Sequence, residues 1–292
     1  MKYFLYWGCS LEGSGKNYLA SLEPVAEVLG MEFEEIEDWN CCGASISYVG
    51  AGDLAIKVLN ARNLALAEAE GSYDIVAPCS SCYIQMNKVN HEIGEDPELA
   101  SKVNACLAEG GLKYSGKIRV RHLLDVLYND VGPEKIREKV QKPLTGLKVG
   151  GYVGCQSVRP YGEYDSVEKP TIQDELIQAI GADAVPFPNK MKCCGSGIFL
   201  SEIDLCLTLV KNILGDAVAH GAQLVSTVCP MCAMNLELYQ DRVNKAHGTD
   251  FDVPVVYLTQ LMAAAFGLDL KRGAALDCNI IPPEGLIKAA MG

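Results

Sequence analysis

The feature that most constrains how this chain can fold is that it is written twice. Tyr6-Trp7-Gly8-Cys9 returns as Tyr152-Val153-Gly154-Cys155, an offset of 146 residues. Cys41-Cys42-Gly43 returns as Cys193-Cys194-Gly195 at an offset of 152, and Cys79-Ser80-Ser81-Cys82 returns as Cys229-Pro230-Met231-Cys232 at 150. A later element, Val120-Arg121-His122-Leu123-Leu124, resembles Val255-Val256-Tyr257-Leu258-Thr259. A period this long means two homologous halves rather than a solenoid. The halves are set at residues 1–146 and 147–292, joined around Gln141 to Leu147. Two halves of one ancestor are expected to be related by a pseudo-twofold axis.

Each half alternates strand and helix patterns. In the first, Tyr3 to Tyr6 is a short apolar run ending at Gly8, Asn17 to Leu29 is amphipathic, and Glu32 to Ile36 is a second strand. Asp53 to Ala69 predicts a helix with Leu54, Val58, Ala61 and Ala65 along its inner stripe and a stop at Gly71. Tyr73 to Ala77 predicts a strand running into Cys79. The matching segments of the second half are Lys148–Val153, Ile172–Ile180, Ala182–Phe187, Glu202–His220 and Gln223–Val228. Such alternation predicts an α/β fold with mostly parallel sheets flanked by helices. All three cysteine sites of a half then follow strand ends, where ligands of open α/β sheets collect. The segment Asn90 to Lys117 has no equally long counterpart and is expected to be a surface excursion. The Gly/Pro-punctuated tail from Asp269 to Gly292 is expected to wrap the surface.

Cysteine is the compositional outlier, at 13 in 292 residues. The count is odd, and two pairs are adjacent in sequence, neither of which suits a disulfide framework. The amino terminus turns polar after a very short apolar stretch, unlike a signal peptide. Clustered thiols in a cytoplasmic, reducing compartment imply metal or redox chemistry. The net charge of −12 repels phosphate backbones, so no nucleic-acid partner is expected. No apolar run approaches the ~20 residues of a transmembrane segment.

The pattern is C-x31-CC-x36-CxxC in the first half and C-x37-CC-x34-CxxC in the second. Adjacent cysteines need an irregular loop, which Gly43 and Gly195 supply. A tetrahedral zinc takes four thiolates, and a conventional [2Fe–2S] or [4Fe–4S] cluster also takes four. Five per half leaves one over each time, as an outer or catalytic thiol or as a sign of an unconventional centre. Thiolates without a local histidine favour iron–sulfur or zinc over hard cations.

This doubled pattern with its CCG signature resembles the cysteine-rich (CCG) domain of the heterodisulfide reductase B subunits and their relatives, over most of the chain. The resemblance implies two [4Fe–4S] clusters of noncubane type, one on Cys9, Cys41, Cys42, Cys79 and Cys82, the other on Cys155, Cys193, Cys194, Cys229 and Cys232. It implies a catalytic subunit reducing a small disulfide, such as that of coenzyme M and coenzyme B, to two thiols. Cys9, Cys42, Cys155 and Cys194, with Gln156, would stand at the reaction. The implied partners within the same complex are a ferredoxin-like [4Fe–4S] protein (the C subunit) and a flavin and iron–sulfur protein (the A subunit). This sequence departs from the methanogen pattern at one place: Gln156 follows Cys155 where those proteins carry a histidine. Glutamine donates hydrogen bonds but supplies no proton at neutral pH.

Arg159 and Lys192 are the candidate substrate-binding residues, suited to a sulfonate or carboxylate. His122 and His220 are spare proton donors by position, more simply read as satisfied core or surface histidines. Cys106, Cys206 and Cys278 have no partner in the other half and read as ordinary small residues. Gly13-Ser14-Gly15-Lys16 lacks the first glycine of a phosphate loop, and no flavin or nicotinamide fingerprint occurs, so electrons are expected from a partner protein. Two competing readings remain: an electron-relay subunit of a dehydrogenase or quinone-linked complex with no disulfide substrate, and a zinc-stabilised scaffold.

Overall fold

The computed structural model describes residues 1–47, 50–71 and 73–292. Chain order in the first half is β1 (Lys2–Leu5), α1 (Gly8–Glu12), α2 (Lys16–Leu29), β2 (Glu32–Glu35), α3 (Ala44–Ser47), α4 (Asp53–Glu70), β3 (Ile75–Ala77), α5 (Ser80–Glu95), α6 (Pro97–Ala108), β4 (Val120–His122), α7 (Leu123–Asp125) and α8 (Pro133–Lys139). The second half follows as β5 (Lys148–Tyr152), α9 (Ile172–Ala179), β6 (Asp183–Ala184), α10 (Ile203–Ala219), β7 (Leu224–Thr227), α11 (Pro230–Leu238), α12 (Gln240–His247), β8 (Val255–Tyr257), α13 (Leu258–Ala265) and α14 (Glu284–Met291).

Each half builds one four-stranded parallel sheet, in the orders β2-β1-β3-β4 and β6-β5-β7-β8. The expected α/β architecture is therefore present. The inner strands are buried along nearly their whole length, as parallel strands covered on both faces must be. The outer strand β2 carries Glu32, Glu34 and Glu35, and Lys2 pairs with Glu34. Charge on an edge strand discourages pairing with a foreign strand.

The chain condenses into two compact units: residues 1–9 with 31–123, and residues 10–30 with 124–292. Their limits depart from the sequence repeat because α2 packs in the second unit. There Tyr18 is fully buried and stacks on Tyr257 with centroids 4.2 Å apart and planes 10° apart. Its hydroxyl donates to the Val228 carbonyl at 3.3 Å, and Ser21 meets Thr259 at 2.7 Å.

Several local expectations change. The inner face of α4 is Ile56, Asn60, Ala61, Asn63, Leu64, Ala65 and Ala67, so Ala61 and Ala65 are buried as expected, whereas Leu54 is exposed. Two asparagines, Asn60 and Asn63, share the inner face with these apolar residues. The second half's Ala182–Phe187 strand is only two residues long. Val185 still donates to Val149, but Pro186 and Pro188 have no N–H to continue the ladder. The segment 90–117 is more than an excursion. Asp96 caps α6, Val103 and Leu107 are buried, and the buried Tyr114 donates to Asn90 at 2.5 Å. The tail is anchored rather than merely wrapped. Leu276 and Ile287 are buried, and Gln260 donates to the Ala274 carbonyl and to Asn279.

Candidate metal centre

Within the first unit β1, β2 and β3 run parallel, so the segments after them leave on the same side. Cys9 follows Gly8, which turns the chain at φ +66°. An added Cβ there would lie 3.0 Å from the Cys82 sulfur, so a side chain would intrude on the thiols. Cys41 and Cys42 lie in the loop after β2, and Gly43 reverses it at φ +73°. Cys79 sits at the N-terminus of α5, with Cys82 in its first turn.

This arrangement brings sulfurs together. Cys9 and Cys41 are 3.7 Å apart, and Cys42 and Cys82 are 3.4 Å apart. In the second unit Cys194 and Cys232 repeat the 3.4 Å spacing, Cys155 is hydrogen-bonded to Cys193, and Cys229 is bonded to Cys232. Two thiolates at ~2.3 Å from one tetrahedral metal lie about 3.7 Å from each other, so these pairs suit ligands that share a metal. None of the thirteen cysteines is in a disulfide among the described residues. Nor, among those residues, does any set of three or more Cys, His, Asp or Glu side chains gather as a single ion requires. Soft thiolates without a histidine among them suit iron–sulfur or zinc rather than a hard cation.

The thiols also divide their protons. Cys41 is held far down, to about 2, by thiol hydrogen bonds from Cys42 and Cys9, with help from the Gly43 N–H. Cys193 is lowered to about 6 by the Cys155 thiol, and its sulfur accepts the Gly195 N–H at 3.3 Å. Cys42 is pushed up to about 12, first by its bond to Cys41. Cys155 is raised by its bond to Cys193, and Cys82 and Cys232 are raised by their thiol partners and by burial. Each unit thus keeps a ready thiolate at matching positions, and thiolates are the ligand form.

Two supports were not foreseen from the sequence. Tyr6 donates to the Asn40 carbonyl at 2.7 Å, and Tyr152 donates to the Lys192 carbonyl at 2.6 Å, tying each strand end to the loop before its CC pair. Asn60 donates to the Cys42 carbonyl at 2.8 Å, and Asn235 donates to the Cys194 carbonyl at 2.5 Å. The repeated Tyr-x-Gly-Cys was a visible signal for the first. For the second, the signal was an asparagine on an otherwise apolar helix face.

The remaining candidates are placed unevenly. Gln156 is half-buried beside Cys155. Lys192 is exposed next to Cys193. Arg159 is exposed and spends its guanidinium on the Val167 carbonyl, closing the 159–167 loop. His122 is fully buried, bonded to Ser80 at 3.1 Å and packed edge-on to Tyr83. His220 is exposed and bonded to Asp216. Cys106 and Cys278 are exposed, and Cys206 is fully buried with its thiol raised by burial.

The CCG cysteine-rich domain model matches residues 3–87 and 149–237. The chain belongs to the CCG cysteine-rich domain family. A relative in Wolinella succinogenes, the 8-methylmenaquinol:fumarate reductase membrane anchor subunit, is 36% identical over 94% of this chain and 95% of its own. A protein of Archaeoglobus profundus, named as similar to the heterodisulfide reductase B subunit, is 32% identical over 99% and 97%. The B subunit of the ferredoxin/F420H2-dependent CoB-CoM heterodisulfide reductase of Methanosarcina acetivorans is 30% identical over 91% and 89%. A hypothetical protein from Helicobacter pylori has the same fold, with a TM-score of 0.76 at 16% identity, and this chain spans 96% of itself but 52% of that one. Relatives at 29–32% identity over nearly the whole chain are named as heterodisulfide reductase B subunits or proteins like them. No helix among the described residues is long and apolar enough to cross a membrane.

Proposed function

We propose that this chain is the catalytic B subunit of a heterodisulfide reductase-type complex, reducing a small disulfide to two thiols. The observation that carries the reading is the duplicated sulfur geometry, with Cys42–Cys82 and Cys194–Cys232 both at 3.4 Å. Cys9, Cys41, Cys42, Cys79 and Cys82 would hold one [4Fe–4S] cluster, and Cys155, Cys193, Cys194, Cys229 and Cys232 the other. Five ligands exceed the four of a cubane, which favours a noncubane form. Bound there, such clusters supply electrons singly to a reaction that needs two electrons and two protons per disulfide.

The chain's own residues hold, orient and expose. Cys41 and Cys193 offer thiolates, and the backbone N–H groups of Gly43 and Gly195 stabilise them. Tyr6 and Tyr152 fix the CC loops. Cys9 and Cys193 are exposed, so an incoming sulfur has access beside them. Lys192 supplies positive charge next to Cys193 for an anionic substrate group, with Arg159 a few residues beyond Cys155. Gln156 can orient a sulfur or water but cannot deliver the proton. Electrons would come from the ferredoxin-like and flavin-bearing proteins of the same complex.

The test is anaerobic reconstitution followed by iron and sulfide analysis, then titration of the reduced protein with disulfides under EPR. About eight irons per chain and a new paramagnetic species on adding a disulfide are expected. Two zincs without sulfide, or iron with indifference to every disulfide, would overturn it.

A second reading draws on the identity to the Wolinella succinogenes protein and on Gln156. In it the same thiolates serve an electron relay in a quinone-linked complex. Clusters that reduce with a menaquinol analogue yet ignore disulfides would favour it.

A further inference from the structure

The two CC loops are backed differently, and the difference is chemical. In the first unit Gly43 packs on Ile56 of α4, and Asn60 from the same helix holds the Cys42 carbonyl. The other end of that carboxamide, Asn60 Oδ1, is buried with no hydrogen-bond partner among the described residues. In the second unit the place of Ile56 is taken by Cys206 of α10, whose sulfur would lie 3.1 Å from a Cβ on Gly195. The carbonyl of Cys194 is held from another helix, by Asn235 of α11. The Cys206 thiol lies 3.8 Å from that same carbonyl, 3.7 Å from Asn235 Oδ1 and 3.3 Å from Asn235 Nδ2. Cys206 and Asn235 are both fully buried.

We infer that Cys206 is a positioning residue which, with Asn235, clamps the Cys194 loop and makes the second cysteine site electrostatically distinct from the first. A buried carboxamide oxygen left unbonded is destabilising, because it has lost its water without gaining a donor. The first unit tolerates one, and the second satisfies it with a thiol. The Cys206 S–H donates to Asn235 Oδ1 while its sulfur accepts from Nδ2, which holds the carboxamide with Nδ2 on the Cys194 carbonyl. The Nδ2 dipole then points steadily at the backbone of a ligand residue. Hydrogen bonds and dipoles close to iron–sulfur ligands set their potential. A fixed donor favours the added negative charge of reduction, so the second site should reduce more easily than it would without Cys206.

The inference rests on the cluster reading above, and its test is arranged to fail separately. Wild type, Cys206→Ala, Cys206→Ser and Ile56→Cys would be reconstituted anaerobically, assayed for iron, and titrated redox-potentiometrically under EPR. Cys206→Ala should keep full iron, lower the potential of one signal and leave the other in place. Cys206→Ser keeps a donor and should restore the potential towards wild type. Ile56→Cys should raise the potential of the other signal. In the metal-free proteins, Cys206→Ala should also increase the alkylation rate of Cys194 several-fold as its loop loosens, while Cys42 is unaffected. Wild type without iron defeats the cluster reading alone, and the alkylation comparison still judges the clamp. Iron-loaded wild type and Cys206→Ala with identical potentials, or equal alkylation of Cys194 in both, would overturn the inference.

Discussion

Tyr152 donates its hydroxyl to the Lys192 carbonyl at 2.6 Å, joining the end of β5 to the residue before the second CC pair. The first unit repeats the bond between Tyr6 and Asn40. Burial, and then the surrounding thiols, raise both phenols, so each remains a donor at any working pH. Tyr152→Phe keeps the fully buried ring and takes the donor from the part-buried Lys192 carbonyl. It should cost about 1–2 kcal/mol in urea unfolding. Tyr128→Phe, whose ring is only half-buried where it bonds Glu175, should cost less. Equal losses in the two variants would show that the loop tie carries no particular weight.

The CCG glycines should differ from one another and from a glycine in open space. Gly30, Gly43 and Gly195 all have positive φ, at 70°, 73° and 85°. Alanine at Gly30 meets nothing and should cost only the left-handed penalty, about 1–2 kcal/mol. At Gly43 the new Cβ approaches Ile56 Cδ1 at 2.9 Å, the movable end of a side chain. At Gly195 it meets Cys206 at 3.1 Å on sulfur and 3.2 Å on Cα, which is backbone and cannot yield alone. Denaturation midpoints should fall in the order Gly30→Ala, Gly43→Ala, Gly195→Ala, the last being lowest. A Gly195→Ala protein as stable as Gly30→Ala would remove the close-packing account.

The parallel sheets were legible because their inner strands are continuous apolar runs and because the repeat doubled every signal. The closeness of the paired cysteine sulfurs was legible from spacing, since residues after parallel strands leave on one side. Three things were hidden for physical reasons. The docking of α2 in the second unit depends on Tyr18 meeting Tyr257, a contact 239 residues apart in sequence that no local pattern reports. The inner face of α4 carries Asn60 and Asn63 beside the expected Ala61 and Ala65, because the CC loop needs their hydrogen bonds, and an apolar periodicity does not report them. Cys206 read as a bland core residue because its role lies in one hydrogen-bonded pair and has no spacing signature.

In metal-free protein, the divided thiol protons should appear as unequal reactivity. Cys193 is exposed and its pKa is about 6, with the Cys155 thiol as the first cause. Its thiolate fraction is near full at pH 8, about half at pH 6 and small at pH 5, following ordinary titration. Iodoacetamide labelling mapped by mass spectrometry should therefore mark Cys193 ahead of Cys155 at pH 7 and slow as the pH falls through 6. The half-buried Cys41, lowered much further by Cys42 and Cys9, should keep its rate down to pH 5. A Cys193 rate that rises only above pH 8, as for an ordinary thiol, would contradict the shared proton.

Behind the second site lies a buried ion pair. Lys190 Nζ meets Asp174 at 2.5 Å and the Pro170 carbonyl at 2.9 Å, with side chains only 10% and 19% exposed. The Lys190 carbonyl accepts the Gly154 N–H at 3.0 Å, one residue before Cys155. Desolvation raises the Asp174 pKa even though Lys190 pulls it down, and its Oδ1 has no partner among the described residues. Its folded pKa thus exceeds the unfolded value near ~3.9, so its contribution favours folding below that value and is lost as pH rises through the folded pKa. Lys190→Met removes the counter-charge and should raise the carboxyl further. The expected cost near pH 7.5 is about 3–5 kcal/mol, the usual penalty for stranding a buried charge. Because protonation relieves that penalty, the deficit relative to wild type should shrink at pH 5. Adding Asp174→Asn to Lys190→Met should recover much of the loss at pH 7.5. Urea unfolding at the two pH values checks this, and a deficit unchanged between them would mean that Lys190 acts by packing rather than charge.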